Sequence, residues 1–372
     1  MGGAARHVLL AARALTERGY QTVLMKGQVS PGEAEMTDEI RRTGVAPREI
    51  PGLGRTISLY QDWQAFVTLY RTLRALRPQV VETHKSKAGA LGRMAAWLAG
   101  VPVTVHVFHG HVFHGYFPRW KSRLIVLAER VLAQWTDAIV AVSRQQRREL
   151  LAYRIAPPFR LCAIPYGLQL TPFLAAQRGS SGFREELGVP ASAPLVGTVT
   201  RLAPIKGVDV FLRAAQRVSR QMPDVRFVVV GDGELREEMA SLVRQLDLEA
   251  KVRFTGFRDD IVRIYEDLDL AVLSSYNEGL PLALIEAVAA GCYVVASRVG
   301  GVSDLICDAG AGLTVPPGDA GALADAMALA LQEKRCVTPT QRRLAGRRYS
   351  TDRMAEDLDF LYRECLRQKM GR

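Results

Sequence analysis

Short apolar strands alternate with amphipathic helices along the first half of the chain, and this alternation limits the possible folds more than any other feature. Segments such as PQVVETH (78–84) and VPVTVHVF (101–108) are apolar and β-branched and carry a proline near their start. The predicted strands occupy residues 21–25, 78–84, 101–108 and 137–143, and the predicted helices occupy residues 4–18, 61–76, 87–99 and 121–135. Because a helix follows each strand, the pattern predicts a parallel sheet covered by helices, which is an α/β fold.

A second series of the same kind follows residues 164–182, whose glycine, proline and serine are typical of a linker. Its predicted strands occupy residues 194–200, 225–231, 251–257, 269–275 and 292–297, and its predicted helices occupy residues 206–220, 233–246, 259–266, 281–290 and 319–332. We therefore predict two doubly wound, Rossmann-like domains, 1–168 and 169–350, and a last helix in 351–372 that packs back on the first domain. The two domains are expected to face a cleft, since open α/β sheets bind ligands at the carboxyl ends of their strands.

The first residues depart from the usual order of a doubly wound domain, in which a strand precedes the glycine turn and its helix. Here Met1 is followed at once by GGAARHVLL, so the turn and the helix occur without a strand before them. We expect the native start to lie upstream of Met1.

The net charge of +11 belongs entirely to the first half of the chain. Residues 1–168 carry 23 Lys and Arg against 11 Asp and Glu, which is +12, whereas residues 169–372 carry 26 against 27, which is −1. Such a basic half is typical of proteins that bind nucleic acid, an anionic membrane surface or a phosphorylated substrate, and it also occurs on proteins with no such partner.

The sequence has no run of 18 apolar residues, so we expect no transmembrane helix. Its five cysteines show no C-x-x-C spacing, so we expect reduced thiols in a cytosolic protein.

Two cations flank a predicted strand-to-helix turn in VTRLAPIKGVDVFLRAA (199–215), where Arg201 ends the strand and Lys206 precedes Gly207. The free N–H groups of such a turn favour anions. Arginine adds a planar fork and lysine a mobile point charge, so the arrangement suits a diphosphate. Two surface cations without a ligand would give the same pattern.

Two glutamates bracket a proline and a run of helix formers in NEGLPLALIEAVAAG (277–291). Pro281 suits the first turn of a helix and Gly291 suits its end. Glu278 is therefore predicted in the loop before the helix, and Glu286 beyond its first turn. Paired carboxylates can act as acid and base, or they can hold the hydroxyl groups of a ligand, and either one alone could be a solvated side chain.

Together these motifs, R-L-x-x-x-K-G at 201–207 and E-x7-E at 278–286, resemble the signature of family-4 retaining glycosyltransferases of the GT-B fold. Further segments resemble that family in order and spacing: VGDGELREEM (230–239), VRFTGFRDDI (252–261), GGVSDLI (300–306), GGAARHVLLAARALTERGY (2–20) and HVFHGHVFHGYF (106–117). Residues 83–102 look like bacterial members that build capsule, exopolysaccharide or O-antigen units. The resemblance covers nearly the whole chain and departs from the family at Asp304, where a glutamate is common.

The resemblance implies a role for each matching residue. Arg201 and Lys206 would clamp the nucleotide diphosphate, and His109 would lie near the reacting sugar carbon. Glu286 would bind the ribose and Glu278 the donor sugar, so that the two glutamates hold the donor rather than act as acid and base. The other implied substrate contacts are Gly2, Gly3, Phe257, Arg258, Gly279, Leu280, Pro281 and Leu282. The family is thought to work by front-face attack, with the leaving phosphate taking the proton of the acceptor, and no carboxylate nucleophile stands out in the sequence.

No metal ion or other cofactor is expected. Asp267 and Asp269 form a D-x-D motif, which binds Mn²⁺ in glycosyltransferases of another fold, but here the two residues flank a predicted helix-to-strand junction. His109, His111 and His114 share a loop, but no acidic or cysteine partner with zinc spacing lies near them in the sequence.

The expected partners are a nucleotide-sugar donor, with a UDP-sugar favoured, and a saccharide acceptor that is free or linked to polyprenyl diphosphate. Aromatic residues alternate with Arg119, Lys121 and Arg123 in FHGYFPRWKSRL (113–124). With the basic first half, this stretch predicts a cytoplasmic protein bound peripherally to the anionic inner face of the membrane, although it could instead pack on its own domain.

Two other functions are kept open. A nucleotide-sugar 2-epimerase of the same fold would need no acceptor, but the paired motifs at 201–207 and 278–286 argue against it. A nucleic-acid-binding protein would fit the pI of 9.6, but no RNA- or DNA-binding module is visible and we expect no nucleic-acid partner.

Overall fold

The computed structural model describes residues 3–28, 45–54, 56–110 and 118–371. The chain forms two compact units, of which the first combines Met1–Leu168 with Ser350–Arg372 and the second is Gln169–Tyr349. The end of the chain therefore belongs to the same unit as its beginning.

The first unit contains a four-stranded parallel sheet and a separate pair of short parallel strands. Its strands are β1 (Met25–Lys26), β2 (Arg48–Glu49), β3 (Val80–His84), β4 (Val103–Phe108), β5 (Ala138–Ala141) and β6 (Leu161–Ala163). The helices between them are α1 (Gly3–Glu17), α2 (Leu59–Leu76), α3 (Ser86–Ala99), α4 (Arg119–Leu132) and α5 (Arg144–Ala152). Strands β3, β4, β5 and β6 lie in sequence order, as expected where each strand leads through a helical crossover to its neighbour.

Apolar sequence explains where the core of this unit forms. Every residue of β4 and of β5 is buried, as in the inner strands of a parallel sheet covered on both faces. Helix α2 buries Ala65, Leu69 and Leu73, which recur every four residues and pack with Ala95 and Ala96 of α3. The helical period of these apolar positions thus fixes which face of α2 contacts the unit.

The second unit is built on a six-stranded, all-parallel sheet. Its strands are β7 (Leu195–Val199), β8 (Arg226–Val230), β9 (Val252–Gly256), β10 (Leu270–Leu273), β11 (Tyr293–Ser297) and β12 (Gly312–Val315). Its helices are α6 (Thr171–Ala175), α7 (Phe183–Glu186), α8 (Val208–Gln221), α9 (Arg236–Gln245), α10 (Ile261–Asp267), α11 (Leu282–Ala289), α12 (Val302–Ala309), α13 (Ala320–Gln332) and α14 (Pro339–Arg348).

The strand order of this sheet, β12-β11-β10-β7-β8-β9, reverses beside its first strand. The chain runs outward from β7 through β8 and β9 and then returns to place β10 on the other side of β7. The boundary between β7 and β10 is therefore a topological switch point, and ligands of open α/β sheets bind at the carboxyl ends of the strands that meet there.

The last helix, α15 (Thr351–Met370), is held to the first unit by polar contacts at its middle. The hydroxyl of Tyr20 donates to Asp359 Oδ1 at 2.6 Å, and the hydroxyl of Tyr362 donates to Glu82 Oε2 at 2.5 Å. These bonds join the end of the sequence to the segment after α1 and to β3.

The α/β fold class is confirmed, and several elements correct the sequence prediction. Strands β2, β6 and β12 and helices α5, α12 and α14 were not predicted. Strands β6 and β12 are edge strands with partly exposed residues, so their apolar signal is weak, and α5 (RQQRRELLA) is mostly polar. The strand predicted at 21–25 is instead the short β1, the predicted linker 164–182 contains α6, and the helix predicted from residue 206 begins at Val208.

Within the described ranges, none of the helices combines the length and apolar character needed to cross a bilayer. All five cysteines are free thiols.

Candidate active site

The loops that follow β7 and β10 meet at the switch point of the second sheet. After β7, the chain passes through Arg201 into a 3₁₀ turn, Pro204–Lys206, and then into α8. Gly207 ends this turn with a φ of +58°, and a Cβ there would lie 2.4 Å from the carbonyl oxygen of Ser274, which follows β10. A glycine is needed at this position because any side chain would push the two loops apart.

This close approach brings Lys206 into contact with Glu278. Lys206 Nζ donates to Glu278 Oε1 at 2.6 Å, and Ser275 Oγ donates to the same oxygen at 2.7 Å. The side chains of Lys206 and Glu278 are 23% and 11% exposed, so the pair is reachable from solvent. An ammonium group has three N–H donors, which leaves Lys206 able to bind an anion while it contacts the carboxylate.

The turn before α12 holds the loop that carries Glu278. Gly300 adopts a φ of +47°, and a Cβ there would lie 1.7 Å from the carbonyl oxygen of Glu278. The N–H of Gly301 donates to the carbonyl oxygen of Gly279 at 2.8 Å. The GG pair at 300–301 therefore serves as a backbone support for the loop at 278–279.

Helix α11 starts one residue later than the sequence predicted. Pro281 is its N-cap rather than part of its first turn, and Leu282 is its first helical residue. Leu280 is buried beneath this start. Since the first N–H groups of a helix have no acceptor within it, the start of α11 provides donors at the carboxyl edge of β10.

Glu286 lies on α11 beyond the first turn and is only 7% exposed. Burial raises the pKa of Tyr265 well above its ordinary value, and the nearby carboxylate of Glu286 adds to that effect. The Tyr265 hydroxyl donates to the carbonyl oxygen of Ala283 at 2.8 Å. Glu278 and Glu286 thus lie on the same β10–β11 connection, one partly open and one enclosed.

The side chains of Arg201, Phe257 and Arg258 differ in exposure and in their contacts with other residues. Arg201 is exposed, and its side chain has no hydrogen bond or ion pair with any described residue. Phe257, after β9, is 77% exposed. Arg258 is paired with the carboxylates of Asp260 and Glu186, which raise the pKa of Arg258. Phe257 and Arg258 were both predicted to contact the base. Of the two, Phe257 has the more exposed side chain, whereas Arg258 is held by carboxylates.

The D-x-D motif is tied into the protein. Asp267 accepts from the main-chain N–H of Arg184 at 2.9 Å, and Asp269 accepts from the N–H of Leu195 at 2.8 Å. Asp269 also pairs with the guanidinium of Arg184. The motif thus fixes α7 and β7 against the junction of α10 and β10. Across the part of the chain that the structure describes, no three histidine, cysteine or acidic side chains are arranged to hold a metal ion.

In the first unit, histidines gather at the carboxyl ends of β3 and β4. His84 ends β3 and His109 follows β4. His109 Nε2 lies 3.0 Å from His84 Nδ1, and His109 Nδ1 lies 2.8 Å from the Tyr166 hydroxyl. His7 of α1 packs its ring against Tyr166 with the centroids 4.6 Å apart. Burial, reinforced by neighbouring histidines, lowers the pKa of His7 to about 3 and the pKa of His109 well below its ordinary value, so both are neutral near pH 7.

Gly3 is the first residue of α1. Gly2, His111 and His114 were also singled out from the sequence, and they lie outside the described residues.

Two family profiles match the chain. The profile described as "Glycosyltransferase Family 4" matches residues 1–171, and the profile described as "Glycosyl transferases group 1" matches residues 181–349. The "UDP-Gal:alpha-D-GlcNAc-diphosphoundecaprenol alpha-1,3-galactosyltransferase" of Escherichia coli is 32% identical over 260 residues, which cover 69% of this chain and 67% of that protein. The chain belongs to glycosyltransferase family 4.

This glycosyltransferase is also 30% identical over 390 residues to the "2-deoxystreptamine N-acetyl-D-glucosaminyltransferase" of Streptomyces fradiae, with 96% of this chain and 90% of that protein covered. The solved structure of Anabaena HepE with UDP and glucose has a TM-score of 0.81 at 21% identity, and covers 98% of this chain and 96% of that one. Sucrose-phosphate synthase from Thermosynechococcus elongatus has a TM-score of 0.78 at 21% identity, with 98% and 93% covered. At such identities the structural likeness concerns the fold, and the glycosyltransferase has the GT-B fold that its sequence predicted.

Several residues of the glycosyltransferase that support the candidate residues do not stand out in its sequence motifs. Ser275 binds Glu278, and Glu82 and Tyr362 lie behind His84. Glu82 could have been noticed, because a carboxylate inside the apolar strand VVETH is unusual unless it is paired. Tyr362 carried no such signal, since its partner lies 280 residues away in the sequence.

Proposed function

We propose that this glycosyltransferase moves a hexosyl or N-acetylhexosaminyl group from a UDP-sugar to a saccharide linked to polyprenyl diphosphate, with retention of anomeric configuration. The observation that carries the proposal is the contact between Lys206 and Glu278 at the switch point of the second sheet. An ammonium group there suits the diphosphate of a nucleotide sugar, and the adjacent carboxylate suits the hydroxyls of the sugar.

Each candidate residue of the second unit is proposed to help hold the donor. Lys206 and the exposed Arg201 would bind the diphosphate, Glu286 the ribose and Glu278 the sugar. Phe257 would lie against the base, with Arg258 fixed beside it. Main-chain groups would line the sugar and phosphates at Gly279, Leu280, Pro281 and Leu282, and Gly2 and Gly3 remain proposed substrate contacts.

The proposed reaction explains why cations are placed where the diphosphate would bind. The bond from the sugar C1 to the phosphate oxygen breaks, and the acceptor hydroxyl oxygen bonds to C1 on the same face. The proton of that hydroxyl passes to the leaving phosphate oxygen. Negative charge grows on the diphosphate, so preplaced cations at Arg201 and Lys206 stabilise the transition state more than the ground state, by about 3 kcal/mol for one such contact.

His109 is unsuited to act as a general base, which favours proton transfer to the leaving phosphate. Both of its ring nitrogens are within hydrogen-bond distance of other side chains, His84 and Tyr166. Burial also holds the pKa of His109 well below its ordinary value. Its proposed role is that of a fixed, neutral group beside the reacting carbon.

The classes of donor and acceptor come from the relatives. The name of the Escherichia coli protein specifies UDP-Gal and a GlcNAc-diphosphoundecaprenol. HepE was solved with UDP. A UDP-sugar and a polyprenyl-diphosphate-linked saccharide are therefore the first pair to test, and synthesis of a surface polysaccharide is the matching role.

Helix α4 supports the proposal that the enzyme acts at the surface of a membrane. Trp120, Leu124, Leu127 and Val131 recur at helical spacing, and each is more than 40% exposed. The exposed basic residues of the same helix are Arg119, Lys121, Arg123 and Arg130. An apolar stripe flanked by cations suits the headgroup region of an anionic bilayer, so we place the enzyme peripherally on the cytoplasmic face of the membrane.

A donor screen tests the proposal. Nucleotide sugars with different bases and sugars are incubated with the protein and an extract of lipid-linked saccharides. A chelator is present, so that any turnover occurs without a divalent metal ion. The Lys206→Ala variant is the control for background turnover. One donor should be consumed, its sugar should appear in the lipid fraction, and the new linkage should keep the configuration of the donor by NMR.

Three results of the screen would contradict parts of the proposal. An inverted linkage would exclude retention. Release of an epimer without an acceptor would replace transfer by 2-epimerisation. A strict requirement for Mn²⁺ would show that a metal ion, not the cations of the chain alone, neutralises the diphosphate.

A further inference from the structure

A continuous series of side-chain hydrogen bonds runs through the first unit, and we name its members Tyr166, His109, His84, Glu82 and Tyr362 the histidine relay. The Tyr166 hydroxyl lies 2.8 Å from His109 Nδ1, and His109 Nε2 lies 3.0 Å from His84 Nδ1. His84 Nε2 lies 3.1 Å from Glu82 Oε1, and Tyr362 donates to Glu82 Oε2 at 2.5 Å. The relay joins the loop after β4 to β3 and to α15.

The protons of the relay can be assigned from its carboxylate end. A carboxylate only accepts, so Glu82 takes one hydrogen bond from Tyr362 and one from His84 Nε2–H. Neutral His84 then accepts at Nδ1, which requires His109 to donate from Nε2–H. His109 in turn accepts at Nδ1 from the hydroxyl of Tyr166. This is the consistent arrangement for neutral rings, and it gives His109 one defined tautomer.

The surroundings of the relay favour an ionised Glu82 and a neutral His109. Burial raises the pKa of Glu82, but the hydrogen bonds from His84 and Tyr362 outweigh it and hold that pKa below its ordinary value, so Glu82 is an anion near pH 7. The groups packed around the rings are His7 from α1, His106 from β4 and Lys85 from the turn after β3. His7 is buried and neutral, so the cluster gathers several imidazoles around a single carboxylate.

The backbone beside His84 is strained. Lys85 has a φ of +61° and a ψ of 168°, a conformation that is essentially confined to glycine. A lysine stays in it only where the surrounding contacts determine the turn. The bond from His84 to Glu82 and the helix α3 that begins at Ser86 supply such contacts on either side.

We propose that Glu82, His84 and Tyr362 are positioning residues that fix the tautomer and the ring orientation of His109. Without the Glu82 carboxylate, His84 is free to carry its proton on Nδ1, and that proton would face the N–H of His109. His109 would then have to turn or change tautomer and would lose its bond from Tyr166. Only the catalytic consequence of this proposal rests on the proposed function.

The tautomers can be read directly, without substrate. Protein labelled with ¹⁵N in its histidine rings is compared by NMR between pH 8 and pH 6, with single histidine substitutions for assignment. His109 should be neutral, and both His84 and His109 should carry a proton on Nε2. Glu82→Ala should shift the ring signals of His109, whereas Glu82→Gln, whose amide oxygen can still accept from His84, should largely restore them. Protonation of His109 in this range, an Nδ1–H tautomer of His109, or His109 signals unchanged in Glu82→Ala would overturn the proposal.

Kinetics with an active donor then separates positioning from a merely structural role. Glu82→Ala should lower kcat about tenfold or more, the size expected when the partner that orients a functional histidine is removed, with the donor KM nearly unchanged. Glu82→Gln should recover most of kcat, and Tyr362→Phe should lower it less. Thr83→Val is the matched control, because it removes a buried hydroxyl 2.9 Å from His106, a histidine outside the relay.

The outcomes distinguish this proposal from the proposed function. If the wild-type protein transfers no sugar, the proposed function fails, and the NMR result alone decides the relay. If sugar is transferred but Glu82→Ala and Thr83→Val lower kcat equally, or the donor KM of Glu82→Ala rises as much as its kcat falls, positioning of His109 is refuted.

Discussion

Lys206 Nζ lies 2.6 Å from Glu278 Oε1, although the two residues are 72 positions apart in the sequence. The bond crosses the switch point, since Lys206 follows β7 and Glu278 follows β10. It couples the residue proposed to bind the diphosphate to the residue proposed to bind the sugar. A donor entering here would meet a cation already placed by a carboxylate.

This coupling predicts that the effects of mutating the pair are not additive. Lys206→Ala should lower kcat on the order of a hundredfold, because the charge that develops on the proposed diphosphate leaving group would lose a cation. Glu278→Ala should also lower turnover, and the double variant should be less impaired than the product of the two effects, because the residues contact each other. Arg220→Ala, an exposed arginine at the far end of α8, is the control and should retain activity. Strictly multiplicative losses would show that the two residues act separately.

Glu286 is predicted to affect nucleotide binding more than turnover. Removing the carboxylate that is proposed to bind the ribose should cost about 1.5–3 kcal/mol, which is a loss of roughly tenfold to a hundredfold in UDP affinity. Calorimetry of UDP binding to Glu286→Ala and Glu278→Ala should show the larger loss in the former, and kcat the larger loss in the latter. If both variants instead moved the pH–rate profile, the two glutamates would be an acid–base pair.

The stripe on α4 predicts binding to anionic vesicles. The double change Leu124→Ser and Leu127→Ser should weaken sedimentation with phosphatidylglycerol vesicles at least tenfold, since each buried leucine contributes about 1.5 kcal/mol or more. Leu344→Ser, at a leucine of the second unit that is 47% exposed, should bind as the wild type does. Binding should weaken with salt and with neutral lipid. Wild-type protein that stayed in solution with anionic vesicles at low salt would refute the assignment.

The buried ion pair between α3 and α4 predicts a stability effect without a change in the chemistry. Arg93 Nη2 lies 2.8 Å from Glu129 Oε2, and the Arg93 side chain is fully buried. Glu129→Ala should lower the free energy of unfolding by about 3–5 kcal/mol, because it leaves an unpaired charge inside the protein. Glu364→Ala, which breaks an exposed pair with Arg367, should change it by less than about 1 kcal/mol. If Glu129→Ala and Glu364→Ala lowered the free energy of unfolding in urea equally, burial of the Arg93–Glu129 pair would be unimportant.

The histidines predict that the first unit loses stability in acid. Burial lowers the pKa of His7 to about 3 from 6.5, and it lowers the pKa of His106 and His109 well below that ordinary value. At pH values between 6.5 and the lowered pKa of each native histidine, the unfolded chain binds a proton at that histidine and the native protein does not. The stabilisation is therefore complete above about pH 7 and is lost as the pH falls below 6.5, by up to about 1.4 kcal/mol per pH unit for each histidine.

Tryptophan fluorescence can follow this loss in the first unit alone. All four tryptophans lie there: Trp63, Trp97, Trp120 and Trp135. The urea midpoint should fall from pH 7.5 to pH 5.5, and the fall should be smaller in His7→Gln, which has one fewer buried imidazole to titrate. A midpoint that stayed constant or rose on acidification would contradict the prediction.

Local sequence determined the α/β class because the apolar period of each segment records which of its faces is buried. VPVTVHVF became β4, buried throughout, and NEGLPLALIE placed Glu278 before α11 and Glu286 on it. The same periodic signal is weak in α5, a polar helix, and in β12, a short edge strand, and neither element was predicted. In these segments little side-chain surface is buried, so the sequence carries little periodicity.

Contacts between distant segments were decided by the tertiary structure. The sequence offered Lys206 and Glu278 as members of separate motifs, and the return of β10 to the side of β7 made them a pair. It offered His109 as a residue near the reacting sugar carbon, and the packing of β3 against β4 and of α15 on the first unit placed it in a hydrogen-bond series with His84, Glu82 and Tyr362. The physical reason is that periodicity reports the burial of one residue within its own segment, whereas a contact between segments depends on the order and register of the strands that carry them.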